Sequence, residues 1–407
     1  MPAALPHSLR ALRARDFRLY FTGQLVSVAG TWMQQIAMAW LAYKLTDSAL
    51  VLGLLGFASQ IPILLFGPLG GVWSDRVDRR RLMMTTQAFA MLQALTLAVL
   101  AWQGWVTPGL LLGLAFLLGC INAIDIPARQ SLVVHLVTDR ALLPNAIALN
   151  SLMMNATRFV GPALAGVIVA WAGEAVCFLL NALSYLAALL ALSALHTRPG
   201  RGEAKPALQA LREGLTYTVD HRDIRLILLL VATIAFLIVP YVVMMPLYAR
   251  TVLGGDARTF GLLVSSAGAG SLLASLFLAS HRSIDRLARR VSRAAILAGM
   301  AVVAFALNEV AVLAYPILMV IGFAVVLVAA GSNTLLQSWV RDDMRGRVMA
   351  IFSMAFLGVA PLGHLAMGSL THFVGIRPAF GLFGALAVGV GWWLHRIQST
   401  GEFRAEA

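Results

Sequence analysis

The sequence predicts an all-α polytopic membrane protein, with twelve transmembrane helices in two pseudo-symmetric six-helix bundles. Three observations predict this class: an apolar composition, about twelve apolar runs of membrane-spanning length, and a charge pattern that occurs twice. Of the 407 residues, 60% are hydrophobic and 12% are charged, whereas a soluble domain averages about 25% charged residues. The mean hydropathy is +0.83. A chain of this composition is expected to reside in a lipid bilayer.

Each apolar run is long enough to cross a hydrocarbon core about 30 Å thick as a helix. Helices are required because a backbone amide cannot stay unpaired in lipid. The predicted spans, in order, are 17–43, 48–73, 82–104, 109–131, 145–172, 175–195, 224–249, 259–280, 293–309, 311–335, 347–371 and 376–396. The division between the ninth and tenth spans rests on only Asn308, Glu309 and Tyr315-Pro316.

The basic residues predict the orientation of these spans. When the connections are assigned alternately to two sides, 26 of the 31 Lys and Arg residues fall on the side of the N-terminus. This asymmetry is the positive-inside pattern, so we expect both termini to be cytoplasmic, in the inner membrane of a bacterium. The net charge of +13 then reflects topology and contact with anionic lipid headgroups. No nucleic-acid partner is expected.

The longest polar stretch divides the chain into two halves of six spans. It covers 196–223, so we predict an N-terminal bundle at 1–195 and a C-terminal bundle at 224–407, joined by a cytoplasmic linker. The basic N-terminus runs into an apolar segment without a cleavage site, so no signal peptide is expected. Cys120 and Cys177 lie inside predicted helices, which argues against a disulfide framework and a metal site. We expect no cofactor.

A charged pattern recurs in equivalent loops of the two halves. Asp75-Arg76-x-x-Arg79-Arg80 follows the second span, and Asp285-Arg286-x-x-Arg289-Arg290 follows the eighth. Two copies indicate a duplicated transporter. With Gly71, the first copy matches the GxxxDRxGRR signature, and the chain resembles a major facilitator superfamily transporter over nearly its whole length. Asp78 stands where that family usually has Gly, so the turn of this loop is expected to differ.

Several stretches resemble a narrower branch, the bacterial enterobactin exporters and related drug or siderophore efflux proteins. They are FRLYFTGQLVSVAGTWMQQIAMAWLAYKLTDSALVLG, DIPARQSLV, LPNAIALNS and GPALAG. The resemblance implies a secondary active transporter, working as a monomer, that exports a small organic molecule by alternating access. GPALAG resembles the antiporter motif of the fifth helix, although Ala165-Gly166 replaces paired glycines, and it favours proton coupling.

The sequence is also compatible with two functions other than proton-coupled export. A lipid or lysophospholipid transporter of the same fold remains open, as does a receptor or scaffold that transports nothing. An enzyme or an ATP-driven pump is disfavoured, because the sequence has no GxxxxGK phosphate loop, no HExxH motif and no soluble domain.

The duplicated charges predict a cytoplasmic latch that closes in one end state of the transport cycle. In similar proteins the loop aspartate faces the start of the eleventh helix, and the arginines reach an acidic partner on the fourth, where this chain offers Asp125. The second copy would face the start of the fifth span, near Asn145. The predicted latch residues are Gly71, Asp75, Arg76, Arg79, Arg80, Asp285, Arg286, Arg289 and Arg290. The alternative is that these charges only set topology.

Arg158 is the strongest candidate for substrate binding. It lies thirteen residues into the fifth span, roughly 20 Å deep, where a charge costs at least about 2.5–3.5 kcal/mol. Ser151, Asn155 and Arg158 share one helical face, which we expect to line the cavity. The alternative is a structural ion pair between Arg158 and Asp125, although their predicted depths differ by about 12 Å.

Two further sets of side chains are predicted to line the cavity. On the first span they are Gln24, Ser27, Thr31 and Gln35, with Trp32 beside them; on the seventh they are Tyr241 and Met244. Polar faces in membrane bundles either line a cavity or join helices, so interhelical bonding is the alternative for the first set. Flexible Met side chains suit a promiscuous apolar site, and plain packing is the alternative for the second.

Proton coupling requires a titratable group inside the membrane. The candidates are Asp125, His364 and Glu309. His364 lies within the eleventh span and titrates near neutrality when unperturbed, whereas packing is its alternative role. Glu309 is expected at the outer ends of the ninth and tenth spans, and Asp125 is shared with the predicted latch. The sequence does not choose among them.

Overall fold

The computed structural model describes residues 7–137, 139–196, 207–280 and 286–399, and this part of the chain is helical, without a β-strand. The α-helices in chain order are α1 (Arg15–Thr46), α2 (Ala49–Arg76), α3 (Arg79–Trp102), α4 (Pro108–His135), α5 (Leu143–Ala172), α6 (Glu174–Ser193), α7 (Ala207–Asp220), α8 (Arg222–Leu237), α9 (Met245–Thr251), α10 (Ala257–Ser280), α11 (Leu287–Leu307), α12 (Ala311–Trp339), α13 (Asp342–Ser353), α14 (Ala360–Val374) and α15 (Ile376–Ser399). Short 3-10 turns precede α1 at His7–Arg13 and α5 at Arg140–Leu142.

Helical runs occupy all twelve predicted spans, with ends that differ by a few residues. Among the described residues, eleven of these runs are long and apolar enough to cross a membrane. The remaining one, α1, has 32 residues, which is ample length, but its stripe of Gln, Ser and Thr makes it more polar. The predicted all-α polytopic fold is confirmed.

Two spans are interrupted near prolines. The seventh consists of α8, a 3-10 helix at Val239–Met244 and α9. The eleventh consists of α13, a π-helical turn at Met354–Gly358 and α14, which begins one residue before Pro361. Proline has no N–H, and its ring crowds the carbonyl four residues earlier, so the regular α-helical hydrogen bonding is lost near it. The chain tightens into a 3-10 helix in the seventh span and widens into a π-helical turn in the eleventh. These spans therefore change their side-chain periodicity halfway.

The turn between α2 and α3 is closed by an aspartate. Asp78 has φ −56°, and its carboxylate accepts hydrogen bonds from the backbone N–H groups of Arg80 and Arg81. This is an N-cap, which satisfies donors that a helix start leaves free. A negative φ requires no glycine, which explains why Asp serves where the resemblance led us to expect Gly.

The described part of the central linker forms a helix that packs on the second half of the chain. Glu213 of α7 pairs with Arg347 of α13 at 2.7 Å. A Cβ on Gly214 would lie 3.0 Å from the Cβ of Arg347, so the two helices are in contact. The Arg341 guanidinium lies 5.5 Å from the ring centroid of Tyr217.

Contacts divide the chain into two compact units. The first contains Met1–Leu41 and Pro62–Ala204, and the second contains Ala42–Ile61 and Lys205–Ala407. The stretch 42–61, which the division at 195 assigned to the first half, thus packs with the second unit. Within that unit α2 crosses α14 at two glycines, because a Cβ on Gly53 would lie 2.8 Å from the Cα of Gly368. Only glycines allow such a close approach of two backbones.

Candidate functional site

A buried carboxylate is the centre of a polar network in the first unit. Asp125 of α4 is 2% exposed. Its Oδ1 accepts hydrogen bonds from Thr86 Oγ1 at 2.7 Å and from Gln87 Nε2 at 3.0 Å, both on α3. Its Oδ2 pairs with Arg129, one turn further along α4. A buried carboxylate requires such partners, and this network supplies them from α3 and α4.

Arg79 and Arg80 of the predicted latch do not bind Asp125, so that expectation is wrong for these two arginines. Arg79 Nη1 lies 3.1 Å from His135 Nε2. Arg80 donates to the carbonyls of Ser193 and Leu195 at the end of α6, at 2.5 and 2.8 Å. A guanidinium at a helix C-terminus is favourable because the last carbonyls lack helical partners. Both side chains therefore join elements of the same unit.

The remaining latch residues are described only in part. Three latch residues on α2 are described only by their place in the helix: Gly71, Asp75 and Arg76. Asp285 lies outside the described residues. Of the second-half arginines, Arg286 and Arg289 are exposed, and Arg290 lies 5.9 Å from the ring centroid of Phe277. Asn145, near which Asp285 was expected, accepts a hydrogen bond from the backbone N–H of Ala11 at 2.8 Å. The latch stays a prediction.

The polar stripe of α1 faces the interior of the first unit. Ser27 Oγ donates to Gln87 Oε1 at 3.2 Å and so joins α1 to the Asp125 network. Thr31 Oγ1 lies 3.1 Å from the Tyr185 hydroxyl of α6. Gln24 and Ser27 are each 1% exposed. These contacts match the alternative in which the stripe joins helices.

A second layer of amides joins four helices of the same unit. Gln34 Nε2 of α1 donates to Gln93 Oε1 of α3 at 2.9 Å. Asn181 Nδ2 of α6 donates to Gln34 Oε1 at 2.7 Å, and Gln93 Nε2 donates to the carbonyl of Leu114 in α4 at 3.1 Å. Buried amides require such partners, so this layer fixes how α1, α3, α4 and α6 are rotated against one another.

Arg158 differs from Arg129, because its guanidinium forms no ion pair among the described residues. It lies near the middle of α5, about 22 Å from the helix start, and is partly exposed. The guanidinium lies 5.4 Å from the ring centroid of Trp32 of α1, a cation–π contact. Among the described residues it has no ion-pair partner, and Asp125 is bound to Arg129 instead. The structural alternative, an ion pair with Asp125, is therefore wrong.

Polar groups surround Arg158 on the same face of α5. Asn155 is partly exposed, and its Nδ2 donates to the Ser151 carbonyl at 3.0 Å. Ser151 and, on α1, Gln35 are exposed. The two helices touch below this face, because a Cβ on Gly161 would lie 2.6 Å from the Cβ of Trp32. A partly exposed cation, an aromatic face and several hydrogen-bonding groups are together suited to binding an organic anion.

The second unit buries three of the four candidates that the sequence placed there and leaves Glu309 exposed. Tyr241 is 5% exposed and Met244 is fully buried, so the expectation of an accessible apolar surface is wrong for Met244. His364 of α14 is 2% exposed, and a Cβ on Gly56 would lie 2.8 Å from its Nδ1. Glu309 is exposed between α11 and α12, as expected, and pairs with Arg377 at 2.6 Å.

Sequence reasoning missed the partners that organise the Asp125 network. Thr86, Gln87 and Gln93 are polar residues on the third span, and Thr86 and Gln93 stand about two turns apart on one helical face. That spacing was a usable signal, because polar side chains are costly towards lipid. In the described part of the chain, no three His, Cys, Asp or Glu side chains are grouped as a metal site requires.

Comparison with known proteins gives consistent matches over almost the whole chain. Residues 7–400 match the family model described as transmembrane secretion effector. The staphyloferrin A transporter of Staphylococcus aureus is 25% identical over 372 residues, which cover 90% of this chain and 92% of that protein. The multidrug efflux pump Tap of Mycolicibacterium fortuitum is 24% identical over 368 residues, covering 88% and 89%.

A similar fold occurs among solved structures. A POT family transporter crystallised in complex with 5-aminolevulinic acid superposes with a TM-score of 0.74 at 10% identity, covering 95% of this chain and 96% of that one. At this level of identity the likeness concerns the fold alone.

Proposed function

The chain belongs to the transmembrane secretion effector family of the major facilitator superfamily, and we propose that it exports a small organic anion, siderophore- or drug-like, in exchange for protons. It would act as a monomer in the bacterial inner membrane with both termini in the cytoplasm, an orientation supported by its basic residues. The names of its relatives, a staphyloferrin A transporter and a multidrug efflux pump, support export of such molecules.

The proposal of an anionic substrate rests on one observation, which is that Arg158 lacks a carboxylate partner among the described residues. A guanidinium near the middle of a membrane-spanning helix is costly, and this one has a tryptophan face but no carboxylate partner among the described residues. An anion entering from the cytoplasm would supply the missing partner. Alternating access would then carry that anion across, provided that the two end states bind it differently.

Asp125 is the proposed coupling group. Its charge holds Arg129 and accepts hydrogen bonds from Thr86 and Gln87 of α3. Protonation would remove the charge that all three contacts depend on, so it would alter how strongly α3 and α4 are held together. A proton could bias the two end states in this way. His364 is the competing candidate, since its buried Nδ1 has no hydrogen-bond partner in the part of the chain described.

Proteoliposomes with an imposed pH gradient test the proposal, with carboxylate siderophores, cationic dyes and lysolipids as trial substrates. Asp125→Asn should abolish gradient-driven efflux yet retain substrate counterflow, because counterflow needs no change in protonation. His364→Gln and Glu309→Gln should retain both activities. Glu309→Gln is the control for Asp125→Asn, because it also replaces a carboxylate by an amide, but at an exposed site.

Two outcomes would overturn parts of this assignment. If His364→Gln loses driven efflux and Asp125→Asn keeps it, the histidine is the coupling group. If every variant keeps driven efflux and a protonophore does not slow the wild type, the protein is a facilitator. Transport of lysolipids alone would make it a lipid transporter of the same fold.

A further inference from the structure

An apolar groove lies on the outer surface of the first unit, between α3 and α6. Its volume is about 380 Å³, and its lining residues are Met84, Thr85, Ala88, Phe89, Leu92 and Leu189. Phe89 and Leu92 are 58% and 54% exposed. From Met84 to Leu92 the groove extends about 12 Å along α3, most of the depth of one leaflet's hydrocarbon, about 15 Å. Its dimension and chemistry suit a lipid acyl chain.

An unused arginine stands at the end of this groove. Arg81 precedes Met84 and Thr85 by three and four residues, so it lies on the same face of α3, one turn nearer to the helix start. It is exposed, and among the described residues its side chain makes no hydrogen bond or ion pair. In a helix such side chains point back towards the N-terminus, here towards the membrane surface rather than into the groove.

The neighbouring arginines show that Arg81 is not needed to hold the helices together. Arg80 donates to the carbonyls of Ser193 and Leu195 and thereby joins the start of α3 to the end of α6. Arg79 contacts His135. The groove therefore ends where Arg80 joins its two walls, and beside it lies Arg81, whose side chain has no partner among the described residues.

We propose that this groove binds an anionic phospholipid of the cytoplasmic leaflet, with the phosphate at Arg81 and one acyl chain between α3 and α6. Charge complementarity selects the occupant. The apolar groove matches an acyl chain, and the Arg81 guanidinium at its end matches the phosphate of the lipid headgroup. One arginine near an anionic membrane surface favours binding of anionic over neutral lipid by about fivefold. The site is independent of the transport site at Arg158.

Native mass spectrometry of the purified protein tests the proposal, with phosphatidylglycerol and phosphatidylcholine of identical acyl chains as probes. The wild type should retain phosphatidylglycerol in preference to phosphatidylcholine. Arg81→Ala should reduce that preference about fivefold, and Arg81→Lys should keep most of it. Ala88→Phe, which fills the groove, should reduce retention of phosphatidylglycerol.

Two matched controls separate this site from general lipid contact. Arg18 of α1 is exposed, and Thr22 bonds to its carbonyl as Thr85 bonds to that of Arg81, but α1 does not line the groove. Arg18→Ala should therefore leave the preference unchanged, as should Leu95→Phe, a lipid-facing change outside the groove. An equal loss for Arg18→Ala and Arg81→Ala would overturn the proposal in favour of a diffuse surface charge. Unchanged retention by Arg81→Ala would overturn it as well.

Discussion

Replacement of Arg158 should impair transport far more than folding. Among the residues that the structure describes, the Arg158 side chain interacts only with Trp32, through the cation–π contact at 5.4 Å. At a partly exposed site such a contact contributes about 0.5–1 kcal/mol. A hydrogen bond from a guanidinium to a bound anion contributes about 1.5–3 kcal/mol. Arg158→Ala should therefore raise the Km for an anionic substrate roughly 10- to 150-fold.

The conservative variant sharpens this expectation. Arg158→Lys keeps the positive charge but loses the planar fork that binds an anion with two parallel hydrogen bonds. It should lose about tenfold or more in apparent affinity. Trp32→Phe keeps an aromatic face beneath the guanidinium and should change transport much less. Efflux from proteoliposomes gives the kinetics, and thermal melting in detergent gives the stability of each variant.

A structural role for Arg158 would give the opposite pattern. In that case Arg158→Ala would lower the melting temperature strongly and would reduce transport only as far as it reduces the amount of folded protein. Wild-type transport by Arg158→Ala, at equal protein levels, would show that the substrate does not use this cation. Either result would refute the reasoning from its missing partner.

Three further changes have expected outcomes that follow from single contacts. Arg129→Ala should destabilise the protein by about 3–5 kcal/mol in detergent melting, because it leaves a buried carboxylate unpaired; a shift below 1 kcal/mol would contradict the pairing. Gly270→Ala should lower the free energy of unfolding by about 1–3 kcal/mol through overpacking, since its Cβ would meet the Met319 carbonyl of α12. Gly113→Ala, whose Cβ would have no neighbour within 4 Å, should leave the stability unchanged. Asp75→Asn should abolish transport while the protein stays in the membrane, and a wild-type rate would leave the duplicated charges with a topological role.

The twelve spans could be predicted because the cost of unpaired backbone in lipid leaves helices as the sole option for long apolar runs. The exact ends of the helices could not be predicted, because local hydrogen bonds determine where each helix begins and ends. Asp78 caps α3. Asn308 exchanges hydrogen bonds with the backbone of Val310, so that α11 and α12 are separated by only three residues. Such contacts depend on backbone angles that a hydropathy profile does not contain.

The orientation of polar stripes was harder to predict than their existence. Spacing of three and four residues places Gln24, Ser27 and Thr31 on one face of α1, but it does not say which neighbour that face meets. The meeting residues, such as Gln87 and Tyr185, belong to helices more than fifty residues away. For Met244 the periodicity itself changes, since the 3-10 helix at Val239–Met244 has about three residues per turn.

Two arginines of the first unit, Arg129 and Arg158, differ in whether a described carboxylate pairs with them. Arg129 finds Asp125 one turn away on its own helix, so the pair forms from local sequence and is closed by α3. Arg158 lies on the neighbouring helix with an aromatic ring beneath it and no described carboxylate. If both cations served stability, the second would be expected to acquire a counterion as the first does, because an unpaired charge in a membrane costs several kcal/mol. Under the proposed function, a bound anionic substrate would supply the counterion that Arg158 lacks among the described residues, and that contact would offset part of the cost.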